Sequence, residues 1–528
     1  MRSWLLALLV CFLGIVVVLG LLFNGDSDEV IESLTPTSTT TTSTTTTSTT
    51  TTSTTTTSTT TTITSTTATT TSITTTTTEA PYDGWVDPAS VGEPWGESVE
   101  GVLTFRGSPT RSWHGEGPVP QNPISAWEFP SERRMCSVSS VAGESKQWCG
   151  MGWTGQPALL EREGDTWLIF GAYDGNVHFV NAQNGERFLP DFQTGDLIKG
   201  SVTVDPDGFP LVYVGSRDDY LRIISFDGGE ARELWRFHAY DVSPTKWNND
   251  WDSSPLVIDD YLFAAGENSR FHIFKLNRNY GLEGQVIVEP ELVFDFPGWD
   301  DELLRNVGSN VSIETSPVIL GNTLYFANSG GLVQGWDISG LKEGEEPSRV
   351  FRFWAGDDID ATIVPDDEGF LYIGVEYERG TSRSEEVGQI IKLDPLDEDN
   401  PIIWSLDARS YINSGIWATP AIYKDLLIVP TAQGQILGID RMEGTIRWEI
   451  NLSSKVWSSP AIVDDIMVVG DCQGNVRAFD VLDTSITPRE LWSVDTGGCV
   501  EATAVIWKGS VYVGSWSGYL HAIRDFVQ

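Results

Sequence analysis

Eight segments of the chain share one pattern of short apolar runs separated by turn residues. The clearest pair is WSSPAIVDDIMVVGDCQGNVRAFD (457–480) and WATPAIYKDLLIVPTAQGQILGID (417–440), which align without a gap. One position at the start of the first apolar run anchors each copy, and these anchors are Pro157, Val202, Pro255, Pro317, Ile363, Pro420, Pro460 and Ala504. Neighbouring anchors are 40 to 62 residues apart. Periods of about 40–50 residues with strand-length runs are typical of β-propeller blades.

Each unit predicts four strands, and the fourth ends in an aromatic residue. In the seventh unit the runs PAIVDD, IMVVGD and NVRAFD are three strands, with Asp464-Asp465 and Gln473-Gly474 at the hairpin turns. The last copy stops at HAIRDFVQ without a fourth strand, whereas ISAWEFP, which contains Trp127, lies upstream of the first copy. We therefore predict an all-β, eight-bladed propeller closed by an N-terminal strand, with seven blades as the alternative.

The first residues predict a membrane anchor. Trp4–Phe23 is a run of twenty residues without a charge, long enough to cross a bilayer core of roughly 30 Å. Arg2 precedes the run and acidic residues follow it, which places residues 1–3 in the cytoplasm. We interpret residues 4–23 as a single-pass signal-anchor with the propeller extracellular; a cleaved signal peptide is the alternative.

Residues 24–80 predict a disordered stalk. Five successive STTTT units begin at Ser38, and this segment has almost nothing to bury. Hydroxyl-rich segments of this kind are candidate glycosylated stalks, and a plain flexible spacer is the alternative. The propeller itself is expected to occupy residues 100–528.

The net charge of the chain is −41. A surface of this sign repels nucleic acid and anionic lipid, so no nucleic-acid partner is expected. It favours basic or cationic partners, although solubility alone also explains such a charge.

The repeat resembles a known family. The pattern SSPAIVDDIMVVGDCQGNVRAFD with a Trp after the third strand is similar to the pyrroloquinoline-quinone enzyme repeat. LTFRGSPTRSWHGEGPVPQNPISAWEFP (103–130) resembles the N-terminal segment of membrane-anchored bacterial members of that superfamily. The resemblance implies the fold; for the quinone enzymes it also implies a vicinal Cys-Cys ring, a Ca²⁺-binding Glu, Asn and Asp set and an Asp base. The chain has no adjacent cysteines and no Cys-x-x-Cys-His motif, so pyrroloquinoline quinone is not expected.

A candidate site lies where the first strands of all blades meet. The residue just before each strand-opening pair is a carboxylate in four units, namely Asp252, Glu314, Asp360 and Glu501. In two adjacent units it is Trp417 and Trp457, and Trp251 falls one step earlier in another. These residues predict a rim that holds Ca²⁺ or a cationic ligand between Trp faces. Solvated edge carboxylates are the alternative.

Four cysteines lie outside the predicted anchor: Cys136, Cys149, Cys472 and Cys499. An even set in an oxidising compartment predicts disulfides, with three possible connectivities. The pairs Cys136–Cys149 and Cys472–Cys499 are one of the three.

The sequence thus predicts a surface-tethered, non-catalytic binding module for a protein, glycan or small cationic ligand. Two long insertions, 237–250 and 296–310, join a fourth strand to the next first strand, so they should share the funnel face with Trp251. Alternatives are an envelope-assembly scaffold and a quinone-dependent dehydrogenase.

Overall fold

The computed structural model describes residues 82–526, except 97, 142–143 and 153–154. The predicted anchor (4–23) and stalk (24–80) lie outside the described residues. Within residues 82–526, apart from those gaps, no helix is long and apolar enough to cross a membrane.

Eight antiparallel sheets follow one another along the chain and confirm the eight-bladed propeller. The first four blades consist of Ala158–Arg162, Asp165–Gly171, Asn176–Asn181 and Phe192–Gln193; Thr203–Val204, Leu211–Gly215, Tyr220–Ser225 and Arg232–His238; Leu256–Ile258, Tyr261–Ala265, Arg270–Lys275 and Glu291–Pro297; and Val318–Leu320, Thr323–Ala327, Leu332–Asp337 and Ser348–Trp354. Blades 5 to 8 consist of Val364–Pro365, Leu371–Gly374, Ile390–Leu393 and Ile402–Leu406; Ala421–Tyr423, Leu426–Pro430, Gln435–Asp440 and Ile446–Asn451; Ala461–Val463, Ile466–Gly470, Asn475–Asp480 and Arg489–Asp495; and Val505–Trp507, Ser510–Ser515, Tyr519–Asp525 and Pro123–Phe129.

The remaining elements are short. Two strands, Gly101–Val102 and Gly115–Glu116, extend the inner edges of blades 1 and 8. Three small hairpins or bridges pair Cys136–Val141 with Glu144–Cys149, Asn279–Tyr280 with Val286–Ile287, and Glu376–Tyr377 with Ser414–Gly415. The helices are Asp301–Val307 and Ser382–Val387, with 3-10 turns at Pro88–Ser90 and Leu341–Glu343.

The aromatic residue of the fourth strand has a packing reason. In blades 6 and 7 it lies opposite a small residue of the third strand, Trp448 opposite Gly438 and Trp492 opposite Ala478. In blades 2, 3 and 5 the opposite residue is larger: Ile223, Ile273 and Lys392. A Cβ added at Gly438 would meet the Trp448 ring at 2.0 Å, so this position has room only for glycine. In blade 6 the Trp448 ring thus covers the part of the sheet where Gly438 has no side chain.

The small hydroxyl residues before each first strand form a belt around the axis. The backbone N–H of Ser254 in blade 3 donates to Ser316 Oγ in blade 4 at 3.2 Å, and Ser316 N–H donates to Thr362 Oγ1 in blade 5 at 3.0 Å. Equivalent bonds link blade 1 to 2, 2 to 3, 5 to 6 and 6 to 7. The repeated Ser/Thr pair therefore satisfies buried backbone donors between blades where no strand pairing does so.

The ring closes as predicted, with the N-terminal strand in the last blade. Pro123–Phe129 runs antiparallel to Tyr519–Asp525, and Trp127 lies opposite Ala522. Phe129 is buried and packs edge-on against Phe170 of blade 1, with ring centroids 5.8 Å apart. The last blade is thereby joined to the first both through strand pairing and through the core.

Residues 101–116 fill the axis of the ring. Arg106 is fully buried and donates to the carbonyl oxygens of Pro420 at 2.9 Å and Pro460 at 3.1 Å. Arg111, also fully buried, donates to Pro317 O at 3.0 Å and Ser254 O at 3.2 Å. Two guanidinium groups therefore satisfy carbonyl groups at the inner strands of blades 3, 4, 6 and 7 and plug the channel.

The packed domain extends beyond the expected start at residue 100. Trp85 is 8% exposed, packs edge-on against Tyr261 and Phe263 and donates through Nε1 to Ile338 O at 2.8 Å. Val86 pairs with Gly321 in the turn between the first two strands of blade 4. These contacts lie on the face that carries the turns between strands 1 and 2. This segment therefore leaves the opposite face, which we call the funnel face, uncovered.

Candidate functional site

The funnel face carries the loops that precede each first strand and the loops that follow each second strand. The floor of the funnel lies next to Arg106 and Arg111, because the anchor residues Pro317, Pro420 and Pro460 accept hydrogen bonds from these two guanidinium groups. Within the described residues, two neighbouring clusters of buried carboxylates lie on this face, one on blades 2 to 4 and one on blade 5, and Glu501 lies apart from both.

The first cluster combines three buried carboxylates with two cations. Single oxygen atoms of Asp250, Asp252 and Glu267 all lie within 4.8 Å of one another. Lys199 Nζ forms an ion pair with Asp252 and lies 3.6 Å from Glu267 Oε1. Arg217 Nε lies 2.7 Å from Asp250 Oδ2. Two cations are thus set among three carboxylates.

Burial sets the proton affinities of this cluster. Loss of water and repulsion between neighbouring carboxylates raise the pKa of Asp250 to about 8 and that of Glu267 to about 8. Burial and the charge of Asp252 raise the pKa of Glu314 to about 7, although Lys199 acts in the opposite direction. Burial would lower the pKa of Lys199, but Asp252 and Glu267 outweigh it and raise that pKa. Additional positive charge close to these carboxylates is therefore favourable.

The second cluster lies at the start of blade 5. Asp358 and Asp360 precede its first strand, and Glu376 follows its second. The three are brought together by a backbone bond from Glu376 N–H to Asp358 O at 2.8 Å. Arg379 Nη1 lies 3.3 Å from Asp358 Oδ2. Burial and mutual repulsion raise the pKa of all three carboxyl groups well above their ordinary values.

Glu501 lies on the other side of the funnel, beside blade 1. It is buried and accepts a hydrogen bond from Tyr173 Oη at 2.8 Å. Burial raises its pKa to about 7, although hydrogen bonds from Trp516 and Tyr173 oppose the shift. Glu501 therefore adds a further carboxylate to the acidic floor.

Two of the three predicted funnel tryptophans form a stacked pair. Trp417 and Trp457 lie on adjacent blades with ring centroids 4.9 Å and ring planes 14° apart, and both are partly exposed. Trp251 does not belong with them, so its assignment to a ligand funnel was wrong. It is 1% exposed, packs in the core beside Phe237 and His272 and covers the backbone of Gly215.

A cavity of about 600 Å³ opens over the first cluster. Its floor includes Lys199, Glu267 and Glu314, and its walls include Trp148 and Trp247. Trp148 comes from the hairpin 136–149, which the Cys136–Cys149 disulfide closes; the second disulfide joins Cys472 to Cys499. Trp247 comes from the insertion 237–250, which therefore shares the funnel face as predicted.

Several members of the site were not predicted. Asp250, Glu267, Asp358 and Glu376 were missed because the search followed only the residue before each first strand. Glu267 and Glu376 both fall just after the second strand, in the segments AAGEN and IGVEY. Aligning the units at that second position would have identified them.

Comparison with known proteins supports the architecture. A family model described as outer membrane protein assembly factor BamB matches residues 387–525. The chain aligns over 80% of its length with 98% of a europium-containing methanol dehydrogenase, at 11% identity and a TM-score of 0.55. The chain is therefore similar in fold to this dehydrogenase, and about a quarter of it matches the assembly-factor family model.

Other solved structures share this propeller fold. A quinohemoprotein alcohol dehydrogenase from Pseudomonas putida HK5 aligns at 11% identity and a TM-score of 0.54, covering 81% of each chain. The computationally designed Ika8 protein aligns at 13% identity and a TM-score of 0.51, covering 77% of this chain and all of its own. Among curated proteins there is no match. Identities this low establish the fold alone.

The funnel does not fit pyrroloquinoline quinone, the cofactor of the enzymes that the sequence repeat resembles. Pyrroloquinoline quinone carries several carboxylates, and here the floor presents Asp250, Asp252, Glu267 and Glu314 around a lysine that is already paired. Like charges in a poorly solvated site repel strongly. The two disulfides join cysteines that are 13 and 27 residues apart, so neither forms the vicinal ring of the quinone enzymes. The donor set instead favours positive charge.

Proposed function

We propose that this propeller is a binding module whose funnel takes a ligand with positive charge. The observation that carries the proposal is an excess of carboxylates on the funnel floor. Among the described residues, the cations next to these groups are Lys146, Lys199, Arg217 and Arg379, and the carboxylates are Asp250, Asp252, Glu267, Glu314, Asp358, Asp360, Glu376 and Glu501.

The physical reason is the incomplete neutralisation of buried charge. A carboxylate removed from water requires a partner of opposite charge, or it takes up a proton. The raised pKa values of Asp250, Glu267 and Glu501 reflect that unmet need. A bound cation would supply the missing charge and stabilise the ionised floor.

The walls favour an organic cation over a bare metal ion. Trp148 and Trp247 flank the cavity, and Trp417 stacks on Trp457 nearby on the same face. Indole faces attract cations and bury alkyl groups, whereas Ca²⁺ prefers oxygen ligands throughout. In addition, Lys199 already contacts two members of the compact carboxylate triad, Asp252 and Glu267. An amine or guanidinium group on a peptide or small molecule therefore suits the funnel best, and the binding role needs no catalysis.

We extend the proposal to the location of the module. The uncharged run Trp4–Phe23 and the Thr-rich stretch after it support a single-pass anchor and a stalk that present the propeller outside the cell. Membrane fractionation of the full chain, followed by alkaline carbonate extraction and surface protease treatment, tests this. The expected result is a chain that resists extraction and loses its propeller to external protease.

An envelope-assembly scaffold is a second candidate. It is favoured by the family match at residues 387–525, a model described by an outer membrane assembly factor. Crosslinking in intact cells separates the two roles, because a scaffold should crosslink to envelope assembly proteins even after the funnel carboxylates are neutralised.

Calorimetric titration of the full chain in detergent tests the binding role. A lysine- and arginine-containing peptide should bind and release heat, whereas an acidic peptide of equal length should not. Glu314→Gln should weaken binding, and Glu163→Gln, which changes an exposed carboxylate between the first two strands of blade 1, should not. Absence of heat with Ca²⁺ and with every basic peptide would exclude the proposal.

A further inference from the structure

The second cluster, on blade 5, has fewer cations next to it than the first cluster, on blades 2 to 4. Asp250, Asp252 and Glu267 are served by Lys199 and Arg217. In the blade 5 cluster, Arg379 pairs with Asp358 and also lies 3.8 Å from Asp357, whereas Asp360 and Glu376 have no ion pair among the described residues. Arg379 is also held by its backbone N–H on Asp357 Oδ1 at 2.9 Å. The blade 5 cluster therefore has the larger unmet requirement for positive charge.

Unpaired oxygen atoms mark the same place. Glu376 is 3% exposed and Asp358 is 7% exposed. Within the described structure, Glu376 Oε1, Asp358 Oδ1 and Asp360 Oδ1 are all buried without an N–H or O–H donor. The carboxyl groups of Asp360 and Glu376 are hydrogen-bonded to each other, which requires a proton between them. A buried acceptor without a donor is destabilising, and more so when it is charged. Three such acceptors in one cluster point to a ligand that brings several N–H donors.

An aromatic wall adjoins these acceptors. Glu376 pairs with Gly415 in the short ladder that joins blade 5 to blade 6, and Ile416 N–H donates to Val375 O at 3.0 Å. Trp417 follows Gly415 by two residues, so the ladder places it next to the cluster. Trp417 in turn stacks on Trp457, and the indole Nε1 of each has no hydrogen-bond partner.

We propose that Asp358, Asp360 and Glu376, with Trp417 and Trp457 beside them, form a subsite for a guanidinium group. This inference rests on the proposed binding function and names the chemical class of the ligand. A guanidinium is planar, carries five N–H donors and stacks on indole faces. A guanidinium group can therefore donate to several separate carboxylate oxygens while its plane stacks on an indole ring. A quaternary ammonium brings no N–H donor, and a metal ion gains little from the Trp faces.

The test is a titration of the full chain with N-acetyl-argininamide, which carries a single positive charge. Glu376→Gln should weaken its binding at least tenfold, since a hydrogen bond to a charged group is lost. Trp417→Leu should weaken it severalfold, whereas Trp417→Phe, which keeps an aromatic face, should retain most of the affinity. Tetramethylammonium and Ca²⁺ should bind at least about tenfold more weakly than the arginine probe. Thermal melting of each variant establishes that it is folded.

Controls separate this inference from the binding function on which it rests. Asp250→Asn neutralises a carboxylate in the other cluster and should cost less than about threefold, through longer-range charge alone. Glu163→Gln should have no effect. If Asp250→Asn weakens the probe more than Glu376→Gln does, or if N-acetyl-lysinamide binds as tightly, the guanidinium subsite is wrong while the binding function stands. If no cationic probe binds the wild-type chain, both are wrong.

Discussion

Arg106 Nη2 donates to the carbonyl oxygen of Pro420 at 2.9 Å, across 314 residues of sequence. The same guanidinium reaches Pro460 O in the next blade, Arg111 O and the His114 ring. Burial and the charge of Arg106 hold the pKa of His114 well below its ordinary range, and its neutral ring accepts from the Ile462 N–H through Nδ1 at 3.1 Å. One side chain therefore ties the N-terminal segment to two blades.

Replacing Arg106 should destabilise the propeller strongly. Arg106→Ala removes the donors for several buried carbonyl groups, and Arg106→Lys keeps the charge but cannot reproduce the planar set of donors. We expect each to lower the free energy of unfolding by about 3–5 kcal/mol, measured by denaturant titration. Arg133→Ala, at an exposed position, is the control. A loss below about 1 kcal/mol would show that the plug does not stabilise the propeller.

The hydroxyl belt should be measurable one link at a time. Ser316→Ala leaves the buried N–H of Ser254 without its acceptor. The expected loss is about 1–3 kcal/mol in the free energy of unfolding. Ser131→Ala, at an exposed site, should change stability by less than about 0.5 kcal/mol. Equal losses of unfolding free energy in Ser316→Ala and Ser131→Ala would contradict a stabilising role of the hydroxyl belt.

Closure of the ring depends on Phe129. Phe129→Ala removes a buried ring that packs on Phe170 of the first blade, so we expect a loss of about 3–5 kcal/mol. Ile124→Ala changes the same strand at a position that is 46% exposed and should cost far less. Hydrogen exchange of the Phe129→Ala variant should rise first in Tyr519–Asp525, its partner strand. Uniform exchange over all blades would argue against a local closure.

Stability should fall as the pH rises through the range in which Glu501 ionises. Burial raises its pKa from 4.5 to about 7, so the folded state holds this proton more tightly than the unfolded state does. The contribution is favourable below about pH 4.5 and is lost by about pH 7. Relative to Glu501→Gln, the wild type should lose roughly 3 kcal/mol between these values. Denaturant titrations of both proteins across this range measure the difference, and parallel curves would refute it.

Much of the fold follows from the sequence because each blade repeats the same local chemistry. Asp464 and Asp465 were predicted as turn residues, and both adopt positive φ angles of 50° and 62°. Trp127 was predicted in the closing strand because the last unit lacks its own aromatic strand. The turn residues are a local signal, and the missing fourth strand is found by counting the repeats. Both can therefore be recognised in the sequence alone.

The axial plug and half of the site could not be predicted from the sequence in this way. Arg106 and Arg111 lie in a segment without strand periodicity, and their acceptors are backbone carbonyl groups that any residue would supply. Glu376 comes close to Trp417 only through a short ladder between two blades. Trp251 was misassigned because its direction depends on one residue of register, which turns the ring into the core.

The course of the N-terminal segment also constrains the order of assembly. Residues 101–129 leave the ribosome before any blade, yet they pair with Ile506 and with Tyr519–Asp525 and hydrogen-bond to carbonyls of blades 3, 4, 6 and 7. During synthesis Gly115–Glu116 and Pro123–Phe129 must remain without their partner strands until the eighth blade is made. The circle is therefore completed late, and a nascent chain stalled before residue 505 would contain the carbonyl groups that hold Arg106 and Arg111 but would leave Pro123–Phe129 as an unpaired strand.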